Sequence, residues 1–288
     1  MHLFRFSGRQ QSGGKIFLFI LACFLLTGPL VLAQGNLLIT PRRVVFEGNK
    51  RSFDLNLANT GQTSATYAIS IIQIRMTENG GFEEITEPDP GQKFADRFIR
   101  FFPRSVTLGP NESQVVKVQL IRSGELETGE YRSHFYFRAV PEINPAGEKE
   151  EKRDTTSISV RLTPVFGITI PVIIRVGELT AKTEITNLSL DTDQNGQFIL
   201  SMTFNRTGNA SVYGDLTVDH LSPDGRITRV GIANGLAVYT PNTVRHFRLI
   251  LNKTQGVDFS SGTLKVTYSA PSDTKPQKFA EAELRLKQ

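Results

Sequence analysis

Residues 157–174 read SISVRLTPVFGITIPVII, and this stretch decides the fold. Every even position from Ile158 to Ile174 is apolar, whereas the odd positions begin with two serines, an arginine and a threonine. An alternation of this kind is typical of a β-strand with one face in a core and the other in solvent. The stretch therefore predicts extended structure along its whole length.

The run is longer than a single strand of an ordinary sandwich. At about 3.3 Å per residue it spans about 55 Å, whereas a common strand has about five or six residues. We therefore expect one end to extend past the core of its own domain. Two interpretations of the leading part stay open. It is a second core strand hinged at Pro164 and Gly167, or Ile158, Val160 and Leu162 form an apolar edge offered to another protein.

The same alternation recurs through the chain, between turn signals that include Asn195-Gly196 and Asn234-Gly235. The clearest strands are Phe53–Leu57, Val116–Leu120, Phe135–Phe137 and Leu264–Tyr268. About seven strand candidates precede Gly177 and about seven follow it, with no convincing amphipathic helix. The predicted fold class is all-β, with two immunoglobulin-like β-sandwich domains in tandem.

We place the domain boundary near Gly177, which gives a first domain over residues 34–177 and a second over residues 178–288. The segment Glu142–Thr156 is rich in Pro, Gly, Glu and Lys and has almost no apolar residues. It is interpreted as a mobile loop inside the first domain. A linker between domains is the alternative, but the strand after it is needed to complete the first sandwich.

The N-terminus has the organisation of a secretory signal over residues 1–33. Arg5, Arg9 and Lys15 precede the apolar run Ile16–Leu32, and small residues stand at the positions before a cut after Ala33. A membrane anchor is the first alternative, but the run is short for a span of about 20 residues and contains a Gly-Pro break. A lipoprotein cut before Cys23 is the second, and it would leave an apolar stub on the mature chain.

Cleavage would change the chemistry of the chain. It removes Cys23, the single cysteine, so no disulfide, thiolate nucleophile or cysteine metal site would remain. It also removes three of the 33 basic residues and none of the 28 acidic ones, which leaves a net charge of about +2. The basic character of the precursor is therefore partly a targeting signal, and it does not indicate nucleic-acid binding.

Nothing in the sequence indicates an enzyme or a cofactor. His134, His220 and His246 lack the spacing of metal ligands, and His134 is expected to be a surface or hydrogen-bonded histidine of a strand. Asp191–Gly196 begins like a calcium loop, but Met202 stands where the bidentate Glu is expected. A hairpin turn is the preferred interpretation, and a weak Ca²⁺ site is the alternative.

Several segments resemble the periplasmic pilus-assembly chaperones of the PapD-like family. The resemblance covers about residues 38–175, in which the even-phased run stands where the family has its donor strand. The matching segments are, in order, Ile39–Gly48, Leu55–Thr60, Phe101–Val118 and Glu130–Pro141.

The resemblance implies a mechanism. Members of the family lend a strand to a pilus subunit that lacks its own last strand, and hand the subunit on through an outer-membrane usher. An Arg of the first strand and a Lys of the donor strand hold the C-terminal carboxylate of the subunit, and the motif places that Arg at Arg43. The donor strand would present Ile158, Val160, Leu162 and Phe166.

The sequence departs from the family at the second anchor. No odd position from Thr163 to Ile173 is basic, so carboxylate capture would use Arg161 or a residue of another domain, or would be absent. The predicted function is that of a periplasmic chaperone that caps pilus-like subunits by donating a strand. The alternative is a structural or adhesive immunoglobulin-like protein of the cell envelope.

Overall fold

The computed structural model describes residues 37–141 and 165–286. Its regular structure is β-strand, apart from short 3-10 turns at Asp96–Phe98 and Ser123–Glu125. Within these two ranges no helix is long and apolar enough to cross a membrane. The predicted all-β class is confirmed. The strands are β1 (Leu37–Thr40), β2 (Val44–Phe46), β3 (Ser52–Asn59), β4 (Ala65–Ile72), β5 (Ile74–Met76), β6 (Phe82–Glu84), β7 (Ile99–Phe102), β8 (Ser105–Leu108), β9 (Ser113–Leu120), β10 (Gly129–Val140), β11 (Gly167–Val176), β12 (Ala181–Thr192), β13 (Phe198–Gly208), β14 (Val212–Leu221), β15 (Ile227–Val238), β16 (Val244–Ile250), β17 (Thr263–Ser269) and β18 (Lys278–Arg285).

Several sequence predictions fall outside the described residues. They are the signal peptide with Cys23, the loop Glu142–Thr156, the donor positions Ile158, Val160 and Leu162, and the second anchor Arg161. The domain limits at residues 34, 177 and 288 likewise stay predictions. Phe166 and Arg43 are described, and their places are given below.

The first sandwich packs a sheet of order β1-β3-β9-β7 against a sheet of order β2-β11-β10-β4-β8. The alternation seen in the sequence puts one face of each strand between the sheets, as β3 shows with Leu55 and Leu57 fully buried. Phe46, Phe135 and Phe137 fill the same core. A separate hairpin of β5 and β6 extends from this sandwich.

β11 carries the even-phased run into the first sandwich. It is antiparallel to β10 along its length, but parallel to β2 only from Val172 to Ile174. Ile170, Val172 and Ile174 are buried in the core, so the even positions face inward as the alternation predicts. Ile168 and Phe166, in the same phase, are 37% and 53% exposed. The leading end therefore extends beyond the core, as expected from the length of the run.

The second sandwich packs a sheet of order β12-β13-β16 against a sheet of order β15-β14-β17-β18. Its core is apolar, with Leu200, Phe204, Leu216, Val218 and Tyr268 fully buried. Tyr268 also donates a hydrogen bond from its hydroxyl to the carbonyl of Leu236, at 2.8 Å.

Two turn signals in the second sandwich have different outcomes. The segment around Asn195-Gly196 is the predicted hairpin turn between β12 and β13, in which the Asp193 carboxylate accepts from the amides of Asn195 and Gln197. The prediction of a turn at Asn234-Gly235 is wrong, because this pair lies inside β15 as a bulge opposite Asp215. Gly235 has a φ of +71°, and its amide donates to the Asp215 carboxylate.

A buried carboxylate joins the two sandwiches. Glu130 of β10 has a fully buried side chain, and it accepts hydrogen bonds from the amide and hydroxyl of Ser211 and from the hydroxyl of Thr240. Arg175 of β11 donates to the same carboxylate from Nε at 3.1 Å. Ser211 and Thr240 belong to the second sandwich, so one acidic side chain binds both halves of the protein.

Other contacts also join the two sandwiches. Ile173 of β11 packs in an apolar cluster that also contains Met76, Ala237 and Tyr239. Further hydrogen bonds cross between the sandwiches, from Asn242 Nδ2 to the Met76 carbonyl at 2.7 Å and from the His246 amide to the Glu78 carbonyl at 2.7 Å. The orientation of the two sandwiches is thus fixed by both apolar and polar contacts.

Replacing the buried carboxylate tests this junction. We expect Glu130→Ala to lower the free energy of unfolding by about 3–5 kcal/mol, because it leaves Arg175 and the donors of the second sandwich without their acceptor. Urea unfolding measures the loss. The control is Glu127→Ala, which removes an exposed partner of Lys93 and should cost less than about 1 kcal/mol. Equal losses in the two variants would contradict the assigned role of Glu130.

Candidate anion site between the sandwiches

A cavity of about 250 Å³ lies between the two sandwiches. Thr169 and Pro171, odd positions of β11, line it, so it sits on the outer face of the sheet whose inner face forms the first core. None of its lining residues is acidic. Its cationic and ring side chains are Arg42, Arg43, Arg245, Phe82, His134, Tyr213 and Tyr239. The side chains that line the cavity carry positive charge and no negative charge, which makes it a candidate site for an anion.

Arg43 reaches the cavity because of strand alternation. Val44 and Phe46 of β2 are buried in the first core, and Arg43, one residue before β2, points to the opposite face. Its guanidinium carbon lies 4.0 Å from the centre of the Tyr213 ring, in a cation–π contact. Its Nε is buried and has no hydrogen-bond partner in the described part of the chain. Burial lowers the pKa of Arg43, which stays charged as any arginine does.

Arg245 brings a second guanidinium from β16 of the second sandwich. Its Nη1 donates to the carbonyl of Ala237, while its Nε is buried and unpaired among residues 37–141 and 165–286. The guanidinium packs on Gly80, at the turn between β5 and β6. A Cβ at Gly80 would lie 2.6 Å from Nη2, and the φ of +80° at this position also favours glycine. Burial lowers the pKa of Arg245.

A third arginine near the cavity has a structural role. Arg132 lies over Tyr239, with its guanidinium carbon 4.4 Å from the ring centre. Its Nη1 and Nη2 donate to the carbonyls of Ile74 and Thr240, at 3.4 and 3.2 Å. Because Thr240 belongs to the second sandwich, Arg132 adds to the junction, and it does not line the cavity.

His134 lies in the cavity wall and differs from its sequence prediction. It is 2% exposed, so it is not a surface residue, and its Nδ1 has no hydrogen-bond partner within the described ranges. Its ring centre is 6.0 Å from that of Phe82 and 6.3 Å from that of Tyr239. Burial, and to a smaller extent the charge of Arg132, lower the pKa of His134 to about 3. The imidazole is therefore neutral at physiological pH.

Arg175 and the predicted donor residue Phe166 lie outside the cavity lining. Arg175 donates to Glu130 and is 3.6 Å from the Glu47 carboxylate, so it belongs to the junction and not to the cavity. Phe166 stands at the leading end of β11, outside the cavity lining. Sequence reasoning missed Arg245, although a signal was present. Its odd position is in phase with Phe247 and Leu249, both packed on the second core, and an arginine in phase with an apolar face is unusual.

An open strand edge leads into the cavity. The Ala139 amide donates to the Phe166 carbonyl at 2.9 Å, which places the even residues of β11 in hydrogen-bonded pairs with β10. The odd residues Gly167, Thr169 and Pro171 therefore direct their backbone groups to the other edge. β2 covers that edge only from Val172 onward, and in the described part of the chain no other strand pairs there. Pro171 fits an open edge, since it has no N–H to leave unpaired.

Comparison with known proteins gives a structural likeness and no sequence match. No protein-family model matches the chain, and no curated protein matches it. Among solved structures it is similar to the CupB2 chaperone of Pseudomonas aeruginosa, with 14% identity and a TM-score of 0.42 over 86% of this chain and 100% of that one.

Two further solved structures show a similarly low likeness over most of both chains. The YadV chaperone overlaps 87% of this chain and 99% of its own, with 14% identity and a TM-score of 0.41. A chain of the Salmonella enterica SafA pilin–SafB chaperone complex overlaps 88% of this chain and 97% of its own, with 13% identity and a TM-score of 0.41. All three solved structures contain a chaperone, and the last also contains a pilin.

Acid should destabilise the protein through His134. Between its unfolded pKa near 6.5 and its folded pKa of about 3, the unfolded chain binds a proton that the folded chain does not, so the free energy of unfolding falls as the pH falls. We expect His134→Gln to flatten this dependence by up to about 1.4 kcal/mol per pH unit. Urea unfolding at several pH values from about 4.5 to 6 measures the slope. The control is His246→Gln, at an exposed histidine, and the same slope change in both variants would contradict the prediction.

Proposed function

We propose that the protein is a periplasmic chaperone that binds pilus-like subunits along the open edge of β11 and holds their C-terminal carboxylate at Arg43. The observation that carries this proposal is the continuity of two features. The open edge formed by Gly167–Pro171 leads directly to the start of β2, and the acid-free, arginine-lined cavity lies at that point.

The direction of β2 indicates in which direction a client strand would pair with the open edge. β2 runs parallel to β11, and it begins at Val44, opposite Val172. A client strand that pairs with the open edge in the same direction would lie in line with β2 and precede it. Its last residue would then meet the chain just before Val44, where Arg43 stands. A parallel client strand therefore presents its terminal carboxylate to the Arg43 guanidinium, whereas an antiparallel one would present an amine.

Arg43 suits a carboxylate for electrostatic reasons. A guanidinium can donate two parallel hydrogen bonds to a carboxylate, and its partly buried setting strengthens the attraction relative to water. The ring of Tyr213 holds the side chain from one face. Since no Asp or Glu lines the cavity, the positive charge is available to an incoming anion.

The apolar end of β11 supplies the second part of the interaction. Val165, Phe166 and Ile168 are 46%, 53% and 37% exposed, next to the open edge. Each side chain that a client strand covers would contribute about 1.5–3 kcal/mol before ordering costs. The predicted donor residues Ile158, Val160 and Leu162 would extend this surface toward the N-terminus of the run. Export by the signal peptide and transfer to an outer-membrane usher are part of the same proposal.

Carboxylate capture can be tested with a pair of peptides. The probe is a fluorescent 12-residue peptide of alternating Val and Thr that ends in a free α-carboxylate, and its reference is the same peptide amidated at the C-terminus. We expect fluorescence anisotropy to show tighter binding of the acid. Arg43→Gln should weaken acid binding about 10-fold or more, because a hydrogen-bonded charge pair is lost, and should leave the amide unaffected. The control is Arg100→Gln, at an exposed arginine of β7.

Strand pairing can be tested on the same protein. Hydrogen exchange followed by mass spectrometry should show slower exchange over residues 165–172 when the peptide is bound, since the amides of Gly167 and Thr169 would become paired. Ile168→Asp should weaken both peptides about equally, whereas Ile227→Asp, at an exposed isoleucine of the second sandwich, should not. Binding of neither peptide, with unchanged exchange at β11, would remove the chaperone proposal and favour a structural or adhesive role.

A further inference from the structure

The first sandwich supplies one partly buried cation, Arg43, to the proposed carboxylate site. The question is which residue supplies a second cation. Of the odd positions of β11, Thr169 and Pro171 line the cavity and neither is basic, while Arg175, in the same phase, is paired with Glu130. One guanidinium binds a carboxylate through two parallel hydrogen bonds, and the other lone pairs of the two oxygens can accept from a further donor. That donor would come from another element that lines the cavity.

We propose that the anion site is shared between the two sandwiches, with Arg245 of the second sandwich as its second guanidinium. This inference rests on the proposed function. Arg43 and Arg245 line the same cavity, together with the buried Tyr239. Both arginines have a buried Nε without a hydrogen-bond partner in the described residues.

The other arginines of this region are less suited to the role. Arg42 lines the cavity, but it is exposed to solvent, where a charge contributes little. Arg132 uses both terminal nitrogens on backbone carbonyls of the junction. Arg175 is paired with the buried Glu130. Arg245 is left as the partly buried guanidinium that lines the cavity from the second sandwich.

The fold holds Arg245 in place from two sides. Its Nη1 donates to the Ala237 carbonyl of the second sandwich, and its guanidinium rests on Gly80 of the first. The hairpin that carries Gly80 is itself attached to the strand of Arg245, because the His246 amide donates to the Glu78 carbonyl. Arg245 therefore has its position only when the two sandwiches are docked. A bound carboxylate would contact both halves, so client binding and docking would reinforce each other.

The decisive experiment compares two arginines of one strand. Arg245 and Arg248 both belong to β16, but they are three residues apart and so point to opposite faces, and Arg248 is exposed. With the acid and amide peptides described above, we expect Arg245→Gln to reduce the preference for the acid about 10-fold, because one charged donor is lost, without changing amide binding. Arg248→Gln should leave both affinities at the wild-type value.

The outcomes separate this inference from the proposed function. If the wild-type protein shows no preference for the acid, the proposed function fails and this inference fails with it. If Arg43→Gln removes the preference but Arg245→Gln keeps it, only the role of Arg245 is overturned. An equal loss for acid and amide in Arg245→Gln would also overturn it, since that pattern belongs to a packing residue. If Arg245→Gln does not fold, Arg245→Lys decides: it should retain most of the preference, and full loss in a folded Arg245→Lys protein would contradict the inference.

Discussion

The buried carboxylate of Glu130 is the interaction on which the rest of the structure depends. A fully buried carboxylate is stable only when its oxygens are paired with donors, and here the donors come from Arg175 on one side and from Ser211 and Thr240 on the other. The two sandwiches must therefore dock in one orientation to satisfy it. That orientation creates the cavity, because its lining residues, Arg43 and Arg245 among them, come from both sandwiches.

β11 performs three tasks because a strand has two faces and two edges. Its even side chains fill the first core, its odd side chains line the junction and the cavity, and one backbone edge pairs with β10. Along the other backbone edge, β2 pairs only with Val172–Ile174. The short length of β2 is thus as important as the length of the apolar run. A longer β2 would close the edge at which the proposed client strand pairs.

Local alternation made part of this structure predictable from the sequence. The even phase of the run placed Ile170 and Val172 in the core, whereas Arg43 was singled out by the family resemblance. The junction and the second cation were not predictable, because Glu130 and Arg245 have their roles only through contacts with the other sandwich. The alternation of apolar and polar residues shows which face of the strand a residue is on. It does not show which residues of the other sandwich that face contacts. The prediction of a turn at Asn234-Gly235 was wrong for a related reason, since a hairpin turn and a bulge both use a glycine with positive φ.

The charge distribution at the junction bears on the proposed anion site. The Glu130 carboxylate accepts from Arg175, Ser211 and Thr240, and its charge also favours the charged form of Arg43, although Glu130 does not line the cavity. The electron-rich ring of Tyr213 contacts Arg43, and that of Tyr239 contacts Arg132. Unpaired buried donors cost about 1–3 kcal/mol each, a cost that a bound carboxylate would reduce. In the proposed site, the unpaired Nε groups of Arg43 and Arg245 would therefore favour a carboxylate over a neutral chain end.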